Sequence, residues 1–389
     1  MTVMGNKEWK DCRLSDIISL VGGGTPKTSV SEFWNGNIPW LSVVDFNTGR
    51  KYVSETEKHI TDIGLQNSST KLLEKGDIII SARGTVGALA ILNETMAFNQ
   101  SCYGIKALEK YSFNDFIFYL LKFTIANLKQ FAHGGVFDTI TRDTFREIEI
   151  KLPPLEEQKA IADVLSSLDD KIDLLHEQNQ TLENLAETLF CQWFIEEAKE
   201  EWEECSLSRI ATFLNGLACQ KYPPKDGVNK LPVLKIKELT TGITDNSDWA
   251  TNEVKSSYII KEGDVIFAWS ASLMVKIWNG EECVLNQHLF KVSSDRFPKW
   301  FYYFWCKQHL REFISIAQSH ATTMGHIKRS DLDEAMVLIP SEKEIVKMTE
   351  KIEPLLNKMQ INNIQIKTLT KLRDTLLPKL MSGEVRVKM

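Results

Sequence analysis

The sequence lacks an uncharged apolar run of about 18 residues, the length that a membrane-spanning helix needs, and residues 1–10 lack the apolar core of a signal peptide. Its seven cysteines are odd in number and include no C-x-x-C pair, which argues against a disulfide framework and a zinc site. The seven histidines show no metal-ligand spacing. We therefore expect a cytoplasmic protein with free thiols, no bound metal and no membrane contact.

Motifs for nucleotides and cofactors are also missing. Residues 22–28 (Gly-Gly-Gly-Thr-Pro-Lys-Thr) do not have the G-x-x-x-x-G-K-[ST] spacing of a phosphate loop. Residues 37–40 (Asn-Ile-Pro-Trp) match only faintly the Asn-Pro-Pro-aromatic motif of amino-methyltransferases, and no glycine-rich cofactor loop follows a strand. We therefore expect no cofactor and no catalysis by this chain.

Charge is distributed unevenly, although the net charge is only −6. Residues 155–204 hold 15 acidic residues and 3 lysines, a local charge of −12. The rest of the chain has 37 acidic and 43 basic residues, which gives +6. Such a mild positive excess is compatible with phosphate contacts on local faces but does not require them.

The chain repeats itself at a nearly constant offset. Gly-Asp-Ile-Ile at 76–79 returns as Gly-Asp-Val-Ile at 263–266, and Asn-Gln at 99–100 returns at 286–287, both at an offset of 187. Upstream the offset is 193, so the second copy is six residues shorter, as a loop deletion would make it. Two similar copies provide two similar surfaces, which suits the reading of two separate parts of one target.

Each copy is predicted to contain short β-strands, then a helix, then a loop and a final strand. In the second copy we expect strands at Leu231–Leu239, Tyr258–Trp269 and Val284–Val292, and one aromatic-rich helix at Lys299–Ile316. The first copy has its corresponding helix near Asn114–Phe131. The similar placement of the two helices supports the repeat independently of residue identities.

A long helix is predicted after each copy. Apolar residues spaced alternately by three and four form a heptad seam over residues 155–195 and again over 341–381. Residues 155–194 carry a charge of −7 and residues 341–381 a charge of +3, which favours pairing of the two helices. Pro354 is expected to kink the second helix or to mark its start.

One asparagine interrupts each seam, Asn179 in the first and Asn362 in the second. A buried asparagine fixes the register of paired helices at some cost in stability. We therefore expect an antiparallel pair with these two residues opposite each other or one heptad layer apart.

The predicted fold class is α+β. Two similar globular α/β domains would be separated by two long antiparallel coiled-coil helices, in a pseudo-twofold internal repeat. The boundaries expected are 1–154 for the first domain, 155–200 for the central helix, 201–340 for the second domain, and 341–389 for the C-terminal helix and tail.

Candidate DNA-binding residues lie on loops at equivalent places in the two copies. A turn followed by polar or basic residues recurs, and it either presents those residues to DNA or is a plain turn. The ends of the Gly-Asp strands and the loops after the helices form a second group, for which ordinary surface loops are the alternative. The candidates are Lys27, Thr28, Arg83, His133, Arg142, Gln220, Lys221, Ser270, His320, Lys328 and Arg329.

The recurring Asn-Gln pairs at 99–100 and 286–287 are expected inside strands, where amides are unusual. They either read adenine through bidentate hydrogen bonds or close backbone hydrogen bonds inside the domain. Their identity in both copies favours the structural role.

Two motifs point to a family when they are combined with the heptad helices. They are Leu-Pro-Pro-Leu-Glu-Glu-Gln at 152–158 and Leu-Leu-Pro-Lys-Leu-Met-Ser-Gly-Glu at 376–384. With them, the chain resembles the specificity subunits of type I restriction-modification systems over essentially its whole length. The second copy departs from the first motif, since Pro340-Ser341-Glu342 has one proline where the first copy has two.

The resemblance implies a non-catalytic subunit that binds double-stranded DNA. Each of two target recognition domains would read one half of a bipartite site, and the helix pair would act as a ruler for the unread gap. The partners implied are two methyltransferase subunits, docked on the outer faces of the helices, and restriction subunits that translocate DNA. The alternatives are a coiled-coil adaptor and a stand-alone DNA methyltransferase.

Overall fold

The structure is a computed structural model. It describes residues 8–131, 139–244, 246–319 and 325–387. The chain divides into two compact units: unit 1 comprises residues 1–175 and 365–389, and unit 2 comprises residues 176–364. Within the described ranges, no helix combines the length and apolar character needed to cross a membrane.

Unit 1 is built on two sheets. The order of the first is Ile18–Gly22, Cys102–Ala107, Ile78–Ser81, Leu89–Leu92 and Tyr52–Val53. The order of the second is Lys58–Ile60, Trp34–Leu41, Met96–Phe98 and Leu72–Leu73. A separate pair joins Lys10–Arg13 to Glu149–Leu152. The main helices are Asn114–Phe131, as predicted, and Arg142–Glu147, with short helices at Val43–Phe46 and Asp62–Gln66.

Unit 2 repeats this order. Its first sheet runs Thr212–Asn215, Leu289–Ser293, Val265–Ala268 and Met274–Ile277. Its second runs Trp249–Thr251, Lys230–Leu234, Cys283–Leu285 and Ile259–Ile260. Glu203–Ser206 pairs with Met336–Ile339. Its helices include Leu207–Ile210, Ile236–Thr241, Lys299–Gln308, Leu310–Ser319 and Arg329–Glu334. The predicted repeat is therefore a repeat of the fold.

The recurring Gly-Asp pair forms the turn that leads into the buried central strand of each unit. Gly76 and Gly263 both have φ of +88°, a left-handed conformation that glycine adopts without a steric cost. The following carboxylates, Asp77 and Asp264, each accept a hydrogen bond at 2.8 Å from the backbone N–H of the residue three positions earlier. The repeated Gly-Asp pair therefore forms the same turn in both units.

A second repeated glycine marks a close backbone approach. A Cβ atom on Gly23 would lie 2.1 Å from the carbonyl oxygen of Asn99, and one on Gly216 would lie 2.2 Å from that of Asn286. No side chain fits at such distances. The loop after Ile18–Gly22 in unit 1, like the loop after Thr212–Asn215 in unit 2, therefore lies directly on the Asn-Gln segment.

All four predicted elements of unit 2 are shorter than expected or divided. The strand predicted over Tyr258–Trp269 is two strands of different sheets, Ile259–Ile260 and Val265–Ala268, because the Gly263-Asp264 turn separates them. The strand predicted over Leu231–Leu239 ends at Leu234, because the polar residues that follow break the apolar alternation and form the helix Ile236–Thr241. The predicted strand Val284–Val292 is divided by a turn at residues 286–288. The predicted helix Lys299–Ile316 breaks at His309, whose Nε2 lies 2.9 Å from the carbonyl oxygen of Met336.

The two long helices span Leu155–Cys191 and Glu342–Met381. In unit 1, Ile161 and Leu165 share a core with Leu377 and Leu380, while Asp169, further along the first helix, pairs with Arg373. The partner position thus moves backwards as the first helix advances, so the helices run antiparallel there. Antiparallel pairing in unit 1 confirms the prediction for that segment.

The segments of the two long helices that belong to unit 2 also run antiparallel. Asn179 contacts Asn362, and further along the first helix Phe190 shares a core with Ile352. The second helix begins at Glu342 and continues through Pro354, so the expectation that Pro354 marks its start is wrong. Leu355 and Leu356, directly after the proline, pack against the core of unit 2 and stabilise the helix there.

The two seam asparagines lie opposite each other, as predicted. Asn362 Nδ2 donates to Asn179 Oδ1 at 2.9 Å, and Asn179 Nδ2 donates to Asn363 Oδ1 at 2.8 Å. Asn362 is fully buried, and its own Oδ1 has no hydrogen-bond partner within the described ranges. The juxtaposition is confirmed, while a role of these residues in setting register stays a prediction.

Candidate nucleic-acid interface

Several loops of unit 1 meet at one end of its five-stranded sheet. Gly22, the last residue of its strand, pairs with Tyr103 near the start of the next one, and Cys102 pairs with Ser81 at the end of the third. The loops that leave these strand ends therefore form one edge. We call it rim 1, composed of residues 22–30, 83–86, 99–101 and 139–142.

Lys27 and Thr28 are exposed on the first loop of rim 1. The loop is held through its backbone, because Trp34 Nε1 donates to the Lys27 carbonyl oxygen at 3.2 Å and Trp40 Nε1 donates to that of Gly24 at 3.1 Å. The two indole rings pack edge to face, 5.2 Å apart. Anchoring by the backbone leaves the Lys27 and Thr28 side chains available to a ligand.

Arg83 and Arg142 are exposed on the same rim. Arg83 forms an isolated antiparallel bridge with Thr139, and the Ile140 N–H donates to the Ala82 carbonyl oxygen at 2.9 Å. The Arg142 Nη2 atom lies 3.7 Å from the point where a Cβ on Gly22 would stand. Tertiary contacts thus bring residues far apart in sequence, Lys27, Arg83 and Arg142, to one edge of the sheet.

Unit 2 has the equivalent edge, rim 2, composed of residues 215–221, 269–271, 286–288 and 325–329. Its backbone contacts repeat those of rim 1: Ser270 bridges to His326, and the Ile327 N–H donates to the Trp269 carbonyl oxygen at 3.1 Å. Arg329, the counterpart of Arg142 in the repeat, donates from Nη2 to the Phe213 carbonyl oxygen at 3.3 Å. The same backbone therefore carries different side chains in the two units.

Ser270 is buried and supports an exposed imidazole. Its Oγ lies 3.1 Å from His288 Nδ1, and His288 Nε2 lies 3.3 Å from Gln287 Nε2. The Ser270 hydroxyl and the Gln287 amide thus contact the two ring nitrogens of His288 and orient its imidazole on the rim.

An indole completes this group. Trp269 Nε1 donates to Asn215 Oδ1 at 3.1 Å, and its ring centroid lies 6.0 Å from that of His288 and 6.3 Å from that of His326. The DNA-binding candidates predicted from the sequence include neither Asn215 nor these two histidines. Their positions next to recurring motifs are the signal that could have found them.

The other candidates vary in what the structure shows. Gln220 and Lys221 are exposed in the short helix Cys219–Lys221, and Lys328 is exposed just before the helix Arg329–Glu334. His133 and His320 lie outside the described residues. Among the residues described, no cluster of histidine, cysteine and acidic side chains is placed to hold a metal ion.

The Asn-Gln pairs lie in turns between strands, so their predicted placement inside strands is wrong. Asn99 Oδ1 accepts from the Ser101 N–H at 3.1 Å, and Asn286 Oδ1 accepts from the His288 N–H at 3.4 Å. Both asparagines thus have the structural role that the sequence favoured. Gln100, by contrast, is exposed on rim 1, where its Oε1 accepts from the Thr25 hydroxyl.

Two units with a common sheet order, each ending in a polar rim of different side chains, define the chain as a tandem-repeat protein. The family model of the type I restriction modification DNA specificity domain matches residues 6–184 and 199–371. The chain belongs to this family.

Named relatives agree over the full length. The chain is 30% identical over 412 residues to the type I restriction enzyme MjaIX specificity subunit of Methanocaldococcus jannaschii, covering 98% of this chain and 94% of that one. It is 22% identical over 469 residues to the HindI specificity subunit of Haemophilus influenzae, covering 97% and 100%.

A solved structure shares the fold. The S subunit of a type I restriction-modification system from M. genitalium superimposes with a TM-score of 0.52 at 16% sequence identity. The match covers 100% of this chain and 99% of that one. The predicted mixed fold with an internal repeat is thereby confirmed.

Proposed function

We propose that this chain is the DNA-reading specificity subunit of a type I restriction-modification complex. Rim 1 reads one half of a bipartite duplex target and rim 2 reads the other half. The chain performs no catalysis itself and directs methyltransferase and restriction subunits to the site. The relatives named above, which are specificity subunits of type I restriction enzymes, support this assignment.

One observation carries the proposal: the rims share backbone contacts but differ in side chains. The bridges Arg83 to Thr139 and Ser270 to His326 join positions that correspond in the two copies of the repeat. A rim needed only for folding would not require an exposed guanidinium in one unit and an imidazole with an indole in the other. Two readers of different sequences require such a difference.

The side chains suit different parts of DNA. Lys27, Arg83 and Arg142 give rim 1 three cations, which contact phosphates or the O6 and N7 atoms of guanine in the major groove. Rim 2 also holds three cations, Lys221, Lys328 and Arg329, and its Gln287 corresponds to Gln100 of rim 1. The rims differ at Arg83, whose counterpart is Ser270, so we expect a guanine contact by Arg83 in the half read by rim 1.

The long helices provide apolar surface for partner subunits. Leu174 and Leu185 on the first helix are 46% and 47% exposed, and Ile361, Ile364 and Leu372 on the second are 51%, 51% and 45% exposed. Exposed apolar side chains on helices are typical of protein-binding surfaces. We propose that they dock methyltransferase subunits, one against each copy of the repeat.

Methylome sequencing tests the reading function. A host that expresses the chain with its methyltransferase partner should show methylation at one bipartite motif. Arg83→Ser and Arg142→Gln should each relax or change letters in one half only. Arg146→Gln is the matched control, because Arg146 is exposed on the same short helix as Arg142 but pairs with Asp143. Changes in both halves, or methylation without a motif, would contradict the proposal.

The ruler is tested by lengthening both helices together. One heptad is inserted between Leu175 and His176 and another between Ile364 and Gln365, where the two units divide. Seven residues add about 10 Å to a helix, so the unread gap should grow by about three base pairs. Unchanged gaps with an active complex would refute the ruler, whereas altered half-site letters would refute separate reading.

A further inference from the structure

Unit 1 contains a cavity of about 350 Å³ that the reading function does not use. It lies between the loop at 47–50, the strand start at 87–89, the helix Asn114–Phe131 and Arg373 of the second long helix. Its volume is within the range of about 300–1,000 Å³ that is usual for small-molecule sites.

The charge of its lining is of one sign. Arg50, Lys122 and Arg373 contribute to the wall, and no acidic residue does. Arg373 is already compensated, because it pairs with Asp169 at 2.5 Å and with Asp374 at 2.8 Å. Arg50 and Lys122 therefore hold the charge that a ligand would meet.

Lys122 has an unusual environment for an amine. Its Nζ lies 5.8 Å from the ring centroid of Phe118, and it has no hydrogen-bond acceptor among the residues the structure describes. Burial lowers the pKa of Lys122. An ammonium group that is partly desolvated and unpaired is costly, and a bound anion would remove that cost.

The repeat indicates that the fold does not need these cations. At the corresponding positions of the second copy, His309 stands in place of Lys122 and Ala186 in place of Arg373. Ala186 is fully buried, and His309 bonds to the Met336 carbonyl oxygen. The second copy thus folds without a lysine or arginine at either of these two positions.

Apolar groups complete the wall. Ala88, Leu89 and Ala126 are partly or fully exposed and line the cavity beside the cations, above the buried Phe118 and Ile125. A bare inorganic ion would leave this apolar surface without a partner, whereas an organic anion would cover it. We propose that the cavity binds an organic phosphate of about mononucleotide size, with its phosphate against Lys122 and Arg50 and its apolar part against Ala88 and Leu89.

Calorimetric titration of the full chain with ADP tests the site. We expect saturable binding at one site per chain, weaker binding of inorganic phosphate, and none of adenosine. Lys122→Met and Arg50→Gln should each weaken ADP binding by about tenfold or more, since each removes a charge-assisted hydrogen bond. Lys110→Met is the matched control, because this exposed lysine also lies over a ring, 5.2 Å from Tyr111.

A second readout does not depend on heat. The cavity residues at 87–89 follow directly on the rim 1 turn at 83–86, so ADP should slow backbone hydrogen exchange over 83–89. Arg50 is exposed, so Arg50→Gln keeps the test valid should Lys122→Met fail to fold. Absence of ADP binding, or equal binding by all variants, would overturn the proposal. So would duplex DNA binding that depends on Lys122 when ADP does not bind, since that outcome assigns the cations to DNA.

Discussion

The two units hold the long helices by different chemistry. In unit 1, buried Asp169 accepts from the Tyr119 hydroxyl at 2.8 Å and pairs with buried Arg373. In unit 2 the equivalent positions are Cys306, Leu356 and Ala186, which pack with aromatic rings, and the polar contacts of the long helix lie instead at Glu183, which accepts from the Tyr303 hydroxyl at 2.6 Å and pairs with Lys307. At the three equivalent positions one fold thus tolerates either an ion pair or apolar side chains, because each can fill the same buried interface.

Near its start, each long helix carries a glutamate that accepts hydrogen bonds from a tryptophan and from a basic side chain. We call each of these groups a clamp, and the two clamps differ less than the contacts above. Glu157 accepts from Trp9 Nε1 at 3.1 Å and from both an Nε and an Nη atom of Arg386. Glu344 accepts from Trp202 Nε1 at 3.2 Å and from Lys199 Nζ at 2.5 Å. Lys199 and Trp202 belong to one segment, whereas Trp9 and Arg386 lie near opposite ends of the chain. The clamp therefore depends on its three side chains and not on chain continuity.

The largest expected effects come from disrupting the buried contacts of the long helices, either the Asp169–Arg373 pair in unit 1 or the aromatic cluster in unit 2. Asp169→Ala should destabilise unit 1 by about 3–5 kcal/mol, because it leaves Arg373 buried without its partner. Phe190→Ala should cost unit 2 about 3–5 kcal/mol through loss of packing in the aromatic cluster. Denaturation followed by hydrogen exchange, read separately for the amides of each unit, measures both losses. An equal effect of either change on both units would contradict this assignment.

Replacing the buried polar side chains of unit 1 by apolar ones tests the difference between the two units more closely. Asp169→Leu, Arg373→Ala and Tyr119→Phe together remove the whole buried polar group, and they should recover most of the stability that Asp169→Ala loses. Hydrogen exchange of the unit 1 amides under denaturing conditions measures the recovered stability. A triple variant no more stable than Asp169→Ala would show that unit 1 needs the ion pair itself.

The clamps should differ in strength. Arg386→Ala leaves the Glu157 carboxylate, 2% exposed, with the Trp9 N–H as its one remaining partner among the described residues, and should cost about 1–3 kcal/mol. Lys199→Ala should cost less, because Glu344 is 25% exposed and also accepts from Ser341. Thermal unfolding of the two single variants ranks them. The reverse order would remove the link between burial and clamp strength.

Acid should weaken the unit 2 clamp. The hydrogen bond from Lys199, with those from Ser341, lowers the pKa of Glu344 from its ordinary value of 4.5 to about 2. A lowered folded-state pKa gives stability that is present above pH 4.5 and is lost as the pH falls towards 2. Glu344→Gln should reduce the pH dependence of unfolding over that interval, measured by denaturant titration at several pH values. An unchanged profile would contradict the role of Glu344.

The smallest effects are expected from single rim cations. Arg142→Gln and Arg329→Gln should each weaken binding to the target duplex by about tenfold or less, and each should lower the slope of the salt dependence by about one. Arg329 also donates to the Phe213 carbonyl oxygen, so its change should in addition lower unit 2 stability slightly. Gel-shift titrations at several salt concentrations measure the loss of DNA binding, and thermal unfolding measures the loss of stability. Equal loss of stability in both variants would indicate a structural role for both residues.

Local and periodic signals were read correctly from the sequence. The repeat, the helix Asn114–Phe131, both heptad seams and the opposed Asn179 and Asn362 follow from spacing alone, because periodicity reports which residues share a face. The predictions failed where a tertiary contact overrides the pattern, as at His309, where a bond to Met336 accompanies the break in the helix. The turns at Asn99 and Asn286 were missed for the same reason, since their carbonyl groups lie against a distant glycine.

Of the candidate site, the residue types and their loops were predictable, but their grouping was not. Nothing in the spacing of Arg83, Thr139 and Gly22 predicts that they share a sheet edge, nor that buried Ser270 orients His288. The amino-acid sequence by itself determined that there are two copies, which faces are apolar and where the long helices run. Only the tertiary structure decided which side chains meet, because strand order and the burial of charges such as Asp169 and Glu157 depend on contacts between residues far apart in the chain.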